Sequence, residues 1–522
     1  MKKCEKKLSV KFTKLVLIIA VLASILMLWC IQIIPVKWKL AATAALAVLA
    51  LVSVLLTRQT LKSGKQFMKV VNIVLAVILL SVSCLLPYYQ SRVTRAIRIG
   101  NEAMDPRAKI HLYMMRDVLK EDHPDIYARV NKDEELNVSV SDEELKELVG
   151  QYTVITNTNQ DKTNQKEAVG KLDELTDNTA KKIDADSVMD AADKFMNNEG
   201  QMLLINASFM SLLSGTEGYE NLLDQVVSIY TIYIEHKEQT AEPTPALVTG
   251  NNTFSVFIGG NDQEGKLSDS GRTDVDIVVT MNPNTHDMLI TSFPRDSFIA
   301  NPALDNQPDK LTHLGVMGIK NTVEGLSKVL DTDIDYYVLV NFTTYRKIIN
   351  AVGGVDVFNP YSFSVDGKEF AQGEIHLNGK DALNYVRERH SLPDGDFGRN
   401  QHQQLVLSAL IRKILSPSMI VNFSSLLNAL NGTFLTNLSS DQIYAMAQKQ
   451  LADNPSWHMR TYQIKGLTGS EYTASMPGRQ LSVVYPYAQQ IEFVAEQIDH
   501  LENNEQPANK ALPEDGGDVY QP

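Results

Sequence analysis

FSVFIGGNDQEGKLSDSGRTDVDIVVTMNPNTHDMLITS, residues 254–292, is the stretch from which the fold can be read. Phe254–Ile258 and Val275–Met281 are runs of branched and aromatic residues, the composition of buried strands. Asn282–His286 (NPNTH) is a turn and Met288–Ser292 a third run, so the last two pair as a hairpin. Downstream, the periodicity predicts a helix over Val323–Leu330, a strand over Tyr336–Val340 and a helix over Thr343–Val352. That helix stops at Gly353-Gly354, a left-handed cap signal. Then come strand Val355–Phe358 and amphipathic helices Gly379–Val386 and Gln401–Ile414. Strands alternating with helices, broken by one hairpin, predict an α/β domain over 250–500: a mixed sheet covered on both faces, α-β-α.

Upstream, residues 101–240 mix short apolar runs (Ile110–Met115, Tyr152–Thr156, Met202–Ile205) with acidic helical patterns such as Ser141–Leu148. They predict a small α/β accessory domain without a catalytic constellation. Asn206, after a buried-looking strand, reads as a turn or cap residue. Glu242–Gly250 (EPTPALVTG) reads as a linker. The tail 501–522, polar and rich in Pro and Gly, is expected to be disordered.

Three apolar stretches dominate the start: Leu15–Ile34, Leu40–Leu56 and Val70–Leu86. Each approaches the ~20 residues that cross the hydrocarbon core as a helix, so three spans over 15–87 are expected, the first two as a hairpin. Lys2, Lys3, Lys6, Lys7, Lys11 and Lys14 precede the first span, and Arg58, Lys62, Lys65 and Lys69 separate the second from the third. By the positive-inside rule, residues 1–14 are then cytoplasmic and the chain beyond about 87 is extracytoplasmic, with Arg92, Arg95 and Arg98 at the headgroups.

The net charge of −13 on 522 residues conceals a split. Residues 1–100 hold fifteen Lys and Arg against the single acid Glu5, a net +14, which leaves −27 for the rest. A part that acidic excludes nucleic acid as a partner, which needs a concentrated basic face. The three cysteines (Cys4, Cys30, Cys84) all lie at the start, so the outer part has neither a disulfide nor a thiolate-held metal. Such a domain suits a Gram-positive surface.

The chemistry lies in short motifs spread over the α/β domain: GGND (259–262), GRTDVD (271–276), PRD (294–296), DK (309–310), VRER (386–389) and GRNQHQQ (398–404). Asp262 follows a strand through two glycines, which let backbone approach a ligand. Asp274 opens the next strand. Two carboxylates at neighbouring strand ends can share one hard cation that keeps several waters, as Mg²⁺ (or Mn²⁺) does. Asp276, two residues on, is a supporting acid rather than a ligand. Arginine suits a diphosphate because its planar fork donates two parallel hydrogen bonds. Arg272 adjoins Asp274, Arg295 ends the paired strand, Arg387 and Arg389 alternate in a segment read as extended, and Arg399 and Gln403 share a helix face. Lys310 can reach a phosphate. His390 and His402 have no catalytic spacing. The Asp396-Phe397-Gly398 string lacks every other kinase motif. Outside a membrane, the phosphate belongs to a lipid rather than to ATP.

GGND, GRTD, TSFPRD, DKLTH, DYYVLVNF, GGVDV, LNGKDALNYVRERHSL and GDFGRNQHQ together resemble the LytR-CpsA-Psr family, within it the CpsA-type capsular polysaccharide attachment proteins. The resemblance covers roughly 250–500. It implies an enzyme that takes a glycopolymer from a polyprenyl-pyrophosphate carrier and joins it to peptidoglycan through a phosphodiester. Asp262 and Asp274 would hold Mg²⁺. Arg272, Arg295, Arg387, Arg389, Arg399, Gln403 and Lys310 would grip the pyrophosphate. An apolar tunnel would take the polyprenyl tail, with Ile277–Thr280 and Tyr337–Val340 as candidate walls, and capsule-assembly proteins would be partners. Gln263-Glu264 and Ser297-Phe298-Ile299 stand where many members carry arginines. A pyrophosphatase using water as acceptor, or a non-enzymatic regulator of capsule synthesis, are the alternative readings.

Overall fold

The computed structural model of the chain describes residues 19, 21–26, 28–29, 36–63, 81, 107–131, 136–214, 216, 218–235, 253–261, 271–393, 395–416, 419, 434–514 and 517–522. Asp262, the linker Glu242–Gly250 and all of the stretch Val70–Leu86 except Ser81 lie outside these.

At the start, Val36–Ser63 is one continuous helix. Val21 and Ile25 pack against its Leu46 and Ala50, and the Trp29 indole N–H donates to Thr43 Oγ1 at 3.2 Å. Among the described residues no helix is long and apolar enough to cross a membrane. The three spans expected from hydropathy are therefore not represented there by a complete crossing helix.

The accessory domain is a five-stranded sheet, β1 (Arg107–Met115), β2 (Thr153–Thr156), β3 (Lys181–Asp184), β4 (Met202–Asn206) and β5 (Val226–Glu235), in the order β3-β2-β4-β1-β5. β2, β3 and β4 run parallel, and β1 is antiparallel to both β4 and β5. Each crossover carries a helix, Lys162–Leu175 and Val188–Met196. The helix Asp142–Gln151 begins with a capping box in which Ser141 and Glu144 satisfy each other's backbone N–H. Asn206 accepts from the Ser208 N–H and donates to Asp161, which is the work of a turn residue.

In the larger domain, β6 (Phe254–Asn261), β7 (Thr273–Asn282) and β8 (Asp287–Phe293) form the antiparallel centre of a six-stranded sheet. β11 (Tyr336–Asn341) joins β6 in parallel, and β17 (His458–Gln463) joins β8 in parallel. β16 (Leu435–Thr436) completes the order β16-β11-β6-β7-β8-β17. The sheet is mixed. Alternation sorts its residues onto two faces. Phe257, Val278, Leu289 and Leu339 meet the helices Ile319–Leu330 and Ala488–Glu502. Ile277, Val279, Met288 and Ile290 meet Leu407 and Ile411 of the helix Asp396–Ile414 and Leu415 just beyond its end. Most of the strand residues named as tunnel candidates are packed into these cores.

Smaller elements surround the sheet: the ribbons β9 (Phe298–Asn301)/β10 (Gln307–Lys310), β12 (Val355–Asn359)/β15 (Gly373–Leu377), β13 (Phe363–Val365)/β14 (Lys368–Phe370) and β18 (Gly466–Thr473)/β19 (Met476–Pro486). Gly353 and Gly354 both have φ near +80°, so the left-handed stop of the helix Phe342–Ala351 is as read. The tail differs from its expectation. Tyr520 N–H donates to the Pro486 carbonyl at 2.7 Å, Val519 bridges Tyr487, and Leu512 and Tyr520 pack on the main core. Two apolar side chains supply the burial that bulk composition hid.

Candidate active site

The topology gathers the motifs at one edge. β6 and β11 end level with each other (Asn261 opposite Asn341), β7 begins there (Thr273 opposite Asn261), and β8 and β17 end there as well. The carboxyl ends of parallel strands are where α/β sheets open a crevice for ligands. Gly259–Asn261, GRTD, PRD and the start of the helix Phe342–Ala351 all lie at this edge.

Arg295, two residues beyond β8, donates from Nη1 to Asp274 Oδ1 at 2.7 Å. Lys310 Nζ lies 2.7 Å from Asp296 Oδ1, and Arg295 Nε lies 4.0 Å from the same oxygen. Burial would raise the pKa of Asp296, but the neighbouring Lys310 and Arg295 charges outweigh it and hold its carboxyl below the usual range. Asp274, Arg295, Asp296 and Lys310 thus form one ion-paired group at the strand ends. Asp296 carries no signature of its own in the sequence beyond its place in PRD beside Arg295.

Behind them sits Asp276, 2% exposed. Burial pushes its carboxyl up to about 8, with Thr273 opposing, Asp274 adding to the rise, and the charges of Arg295 and Arg399 opposing it. Neither of its oxygens has a well-aligned hydrogen-bond partner among the described residues. An acid this deep was legible as an i, i+2 neighbour of Asp274; its isolation from water was not.

Arg399 lies in the first turn of the helix Asp396–Ile414, which starts earlier than the sequence periodicity implied, and is 6% exposed. Gln404 of the same helix donates to Ser292 Oγ and the Tyr462 carbonyl, anchoring it to the ends of β8 and β17. The helix Gly379–Arg387 leaves carbonyls unpaired at its end. His402 Nδ1 meets the Tyr385 carbonyl at 3.1 Å and Gln403 Nε2 the Val386 carbonyl at 3.4 Å. Gln403 therefore faces a helix end rather than open solvent. Arg387 is the last residue of that helix, not part of an extended segment, and its guanidinium stacks over Phe342 at 4.4 Å. Phe342 follows β11 directly, which puts Arg387 at the crevice edge. Arg389 is exposed and its Nε points to His390 Nε2 at 3.3 Å. Arg272 is half-buried beside Gly271, whose N–H donates to the Gly315 carbonyl.

Among the described residues no group of three or more His, Cys, Asp or Glu is placed to hold a metal ion. The acids that are placed, half-buried Asp274 with orphaned Asp276 behind it, are oxygen donors only. That donor chemistry fits a hard divalent cation with few protein ligands and several waters.

A model described as the LytR_cpsA_psr family matches residues 219–490, just over half of the chain. The polyisoprenyl-teichoic acid–peptidoglycan teichoic acid transferase TagU of Bacillus subtilis (strain 168) is 32% identical over 266 residues, covering 50% of this chain and 84% of that protein. TagU of Bacillus cereus (strain AH820) is 37% identical over 207 residues, covering 40% and 67%. The crystal structure of B. subtilis TagV aligns at 29% identity over 48% of this chain and 98% of that one, with a TM-score of 0.42.

Proposed function

The chain belongs to the LytR-CpsA-Psr family, and from that membership we propose that it is an extracytoplasmic phosphotransferase. It moves a glycopolymer from a polyprenyl-pyrophosphate carrier to peptidoglycan. The observation that carries the reading is the ion-paired group Asp274–Arg295–Asp296–Lys310 at the strand ends, with Arg387 and Arg399 placed at the same edge. Capsular polysaccharide is the polymer proposed, on the CpsA-type motifs. Teichoic acid, which the named relatives transfer, is the competitor that a substrate comparison separates.

In this mechanism a wall-glycan hydroxyl oxygen attacks the phosphorus that bears the sugar. A phosphodiester bond forms, the bond to polyprenyl phosphate breaks, and the hydroxyl proton is released. Arg295, Lys310, Arg387, Arg389, Arg399 and Arg272 bind and orient the diphosphate, each guanidinium offering a fork to two oxygens. Catalysis of this kind rests on positioning and on charge placed where it develops. Asp262 and Asp274 would hold Mg²⁺ (or Mn²⁺), which when bound offsets negative charge on phosphate oxygens. A multi-pass membrane anchor belongs to the proposal. It is supported by the three apolar stretches and by Leu40, Val48, Leu51 and Leu55, each at least half exposed on the helix Val36–Ser63.

The test is transfer of lipid-linked polymer by the purified chain with product analysis. Polymer covalently bound to peptidoglycan is expected, and Asp274→Ala is expected to abolish it. Full transfer by Asp274→Ala refutes the assignment. Release of phosphorylated polymer without attachment refutes transfer in favour of hydrolysis.

A further inference from the structure

The accessory domain has the architecture of a ligand-binding unit: three parallel strands whose carboxyl ends share an edge. The loop after β2 leaves that edge and carries Gln160, just before the helix Lys162–Leu175. Its amide nitrogen donates to the carbonyls of Ala474 (3.1 Å) and Ser475 (3.0 Å), in the turn of the β18/β19 ribbon of the other domain. Its carbonyl accepts from the Val188 N–H at 2.6 Å. Both ends of the amide are thus engaged, and a flipped amide would set oxygen against two carbonyls. Around it, Ile155, Val188 and Phe195 share one core with Val316 and Met476. The edge expected to take a ligand takes a piece of the catalytic domain.

From that turn, hydrogen bonds continue inward. Ser475 N–H donates to Asp309 Oδ2 at 3.1 Å and Ser475 Oγ to Asp309 Oδ1 at 3.0 Å. Asp309 is fully buried and also accepts from Asn301 and from the Lys310 N–H, while His313 Nδ1 lies 2.9 Å from it. Ala474 N–H donates to the Pro308 carbonyl, and at the ribbon's other end Val484 N–H donates to the Asp296 carbonyl. The ribbon therefore grips both segments that meet in the Lys310–Asp296 ion pair, next to Arg295 and Asp274.

We infer that the accessory domain is a positioning element for the phosphate grip: Gln160, acting through the Ser475 turn and Asp309, sets Lys310 against Asp296. Gln160 touches no reacting atom, so it is a positioning residue. The inference rests on the proposed function only in taking Lys310 as a phosphate ligand.

The experiment is a double-mutant cycle on the full chain in lipid nanodiscs, with calorimetric titration of inorganic pyrophosphate in the presence of Mg²⁺. Gln160→Ala is expected to weaken binding about three- to tenfold, within the range for coupled neighbours. In a Lys310→Ala background the same change is expected to alter binding less than about twofold, because the residue it positions is gone. Equal losses in the two backgrounds, or no loss in the wild-type background, overturn the inference. Where Gln160→Ala does not fold, Gln160→Glu keeps the size and the Val188 bond and removes the donors, and it is read the same way. A wild-type chain that binds pyrophosphate but transfers no polymer refutes only the transfer reading. One that binds no pyrophosphate overturns both.

Discussion

Replacing His402 with phenylalanine is expected to exchange stability at neutral pH for stability in acid. His402 is fully buried, stacked on Tyr385 at 4.0 Å between ring centres and on Phe363 at 5.2 Å. Nδ1 meets the Tyr385 carbonyl, while Nε2 is buried without a partner among the described residues. A proton on Nε2 would be a buried, unpaired charge, and burial lowers the pKa of the ring to about 4. The unfolded chain takes that proton near pH 6.5, so between 6.5 and about 4 the unfolded state binds more protons and stability falls as pH falls. At about 1.4 kcal/mol per pH unit, this window is worth about 3 kcal/mol. Phenylalanine keeps the stack and loses the hydrogen bond, about 1 kcal/mol. His402→Phe should therefore be the less stable chain at pH 7.5 and the more stable one at pH 4.5. Urea unfolding read from Trp457, the one tryptophan beyond the N-terminal helical segments, measures both. Parallel pH profiles for the two chains would refute the buried neutral histidine. The site is exposed to the same transition, because His402 joins the helix carrying Arg399 to the helix carrying Arg387.

The other predictions concern the grip, its scaffold and the tail. A Cβ at Gly315 would lie 2.5 Å from the Gly271 carbonyl oxygen; Gly315→Ala should cost about 1–3 kcal/mol and weaken pyrophosphate binding by moving Arg272. Unchanged melting and affinity would exclude that contact. Arg295→Lys keeps the charge and loses the fork, so the transfer rate should drop by about 10²-fold, the scale of one removed charge-stabilising donor; a rate within twofold of wild type argues against bidentate use. Chelation should abolish transfer, and Mg²⁺ or Mn²⁺ should restore it; transfer that persists in excess chelator would remove the metal from the mechanism. A chain ending at Asn504 loses the Tyr520 and Leu512 packing, and should be less stable by roughly 2–4 kcal/mol of burial and melt at lower temperature; an identical melting curve would show the tail contributes nothing.

The α-β-α domain was legible because its strands carry continuous branched apolar runs, as strands buried on both faces do, and its helices an apolar face at period 3.6. These are local regularities, and local sequence contains them. Gly353-Gly354 and the NPNTH turn were equally legible, since each encodes its own backbone geometry. The tail was misread because two apolar anchors, Leu512 and Tyr520, count for little in average composition and for much when a core accepts them.

Sequence by itself determined which residue types stand at the strand ends, the oxygen-only donor set, and the membership that names the chemistry. Tertiary structure alone decided how those groups are shared. It paired Asp274 with Arg295 and set Asp296 between Arg295 and Lys310. It turned Gln403 toward a helix end and sealed Asp276 from water. It also set Gln160 against Ser475, more than three hundred residues along the chain. Desolvation and ion pairing depend on which distant segments close over a group, and periodicity along the chain carries no record of that closure.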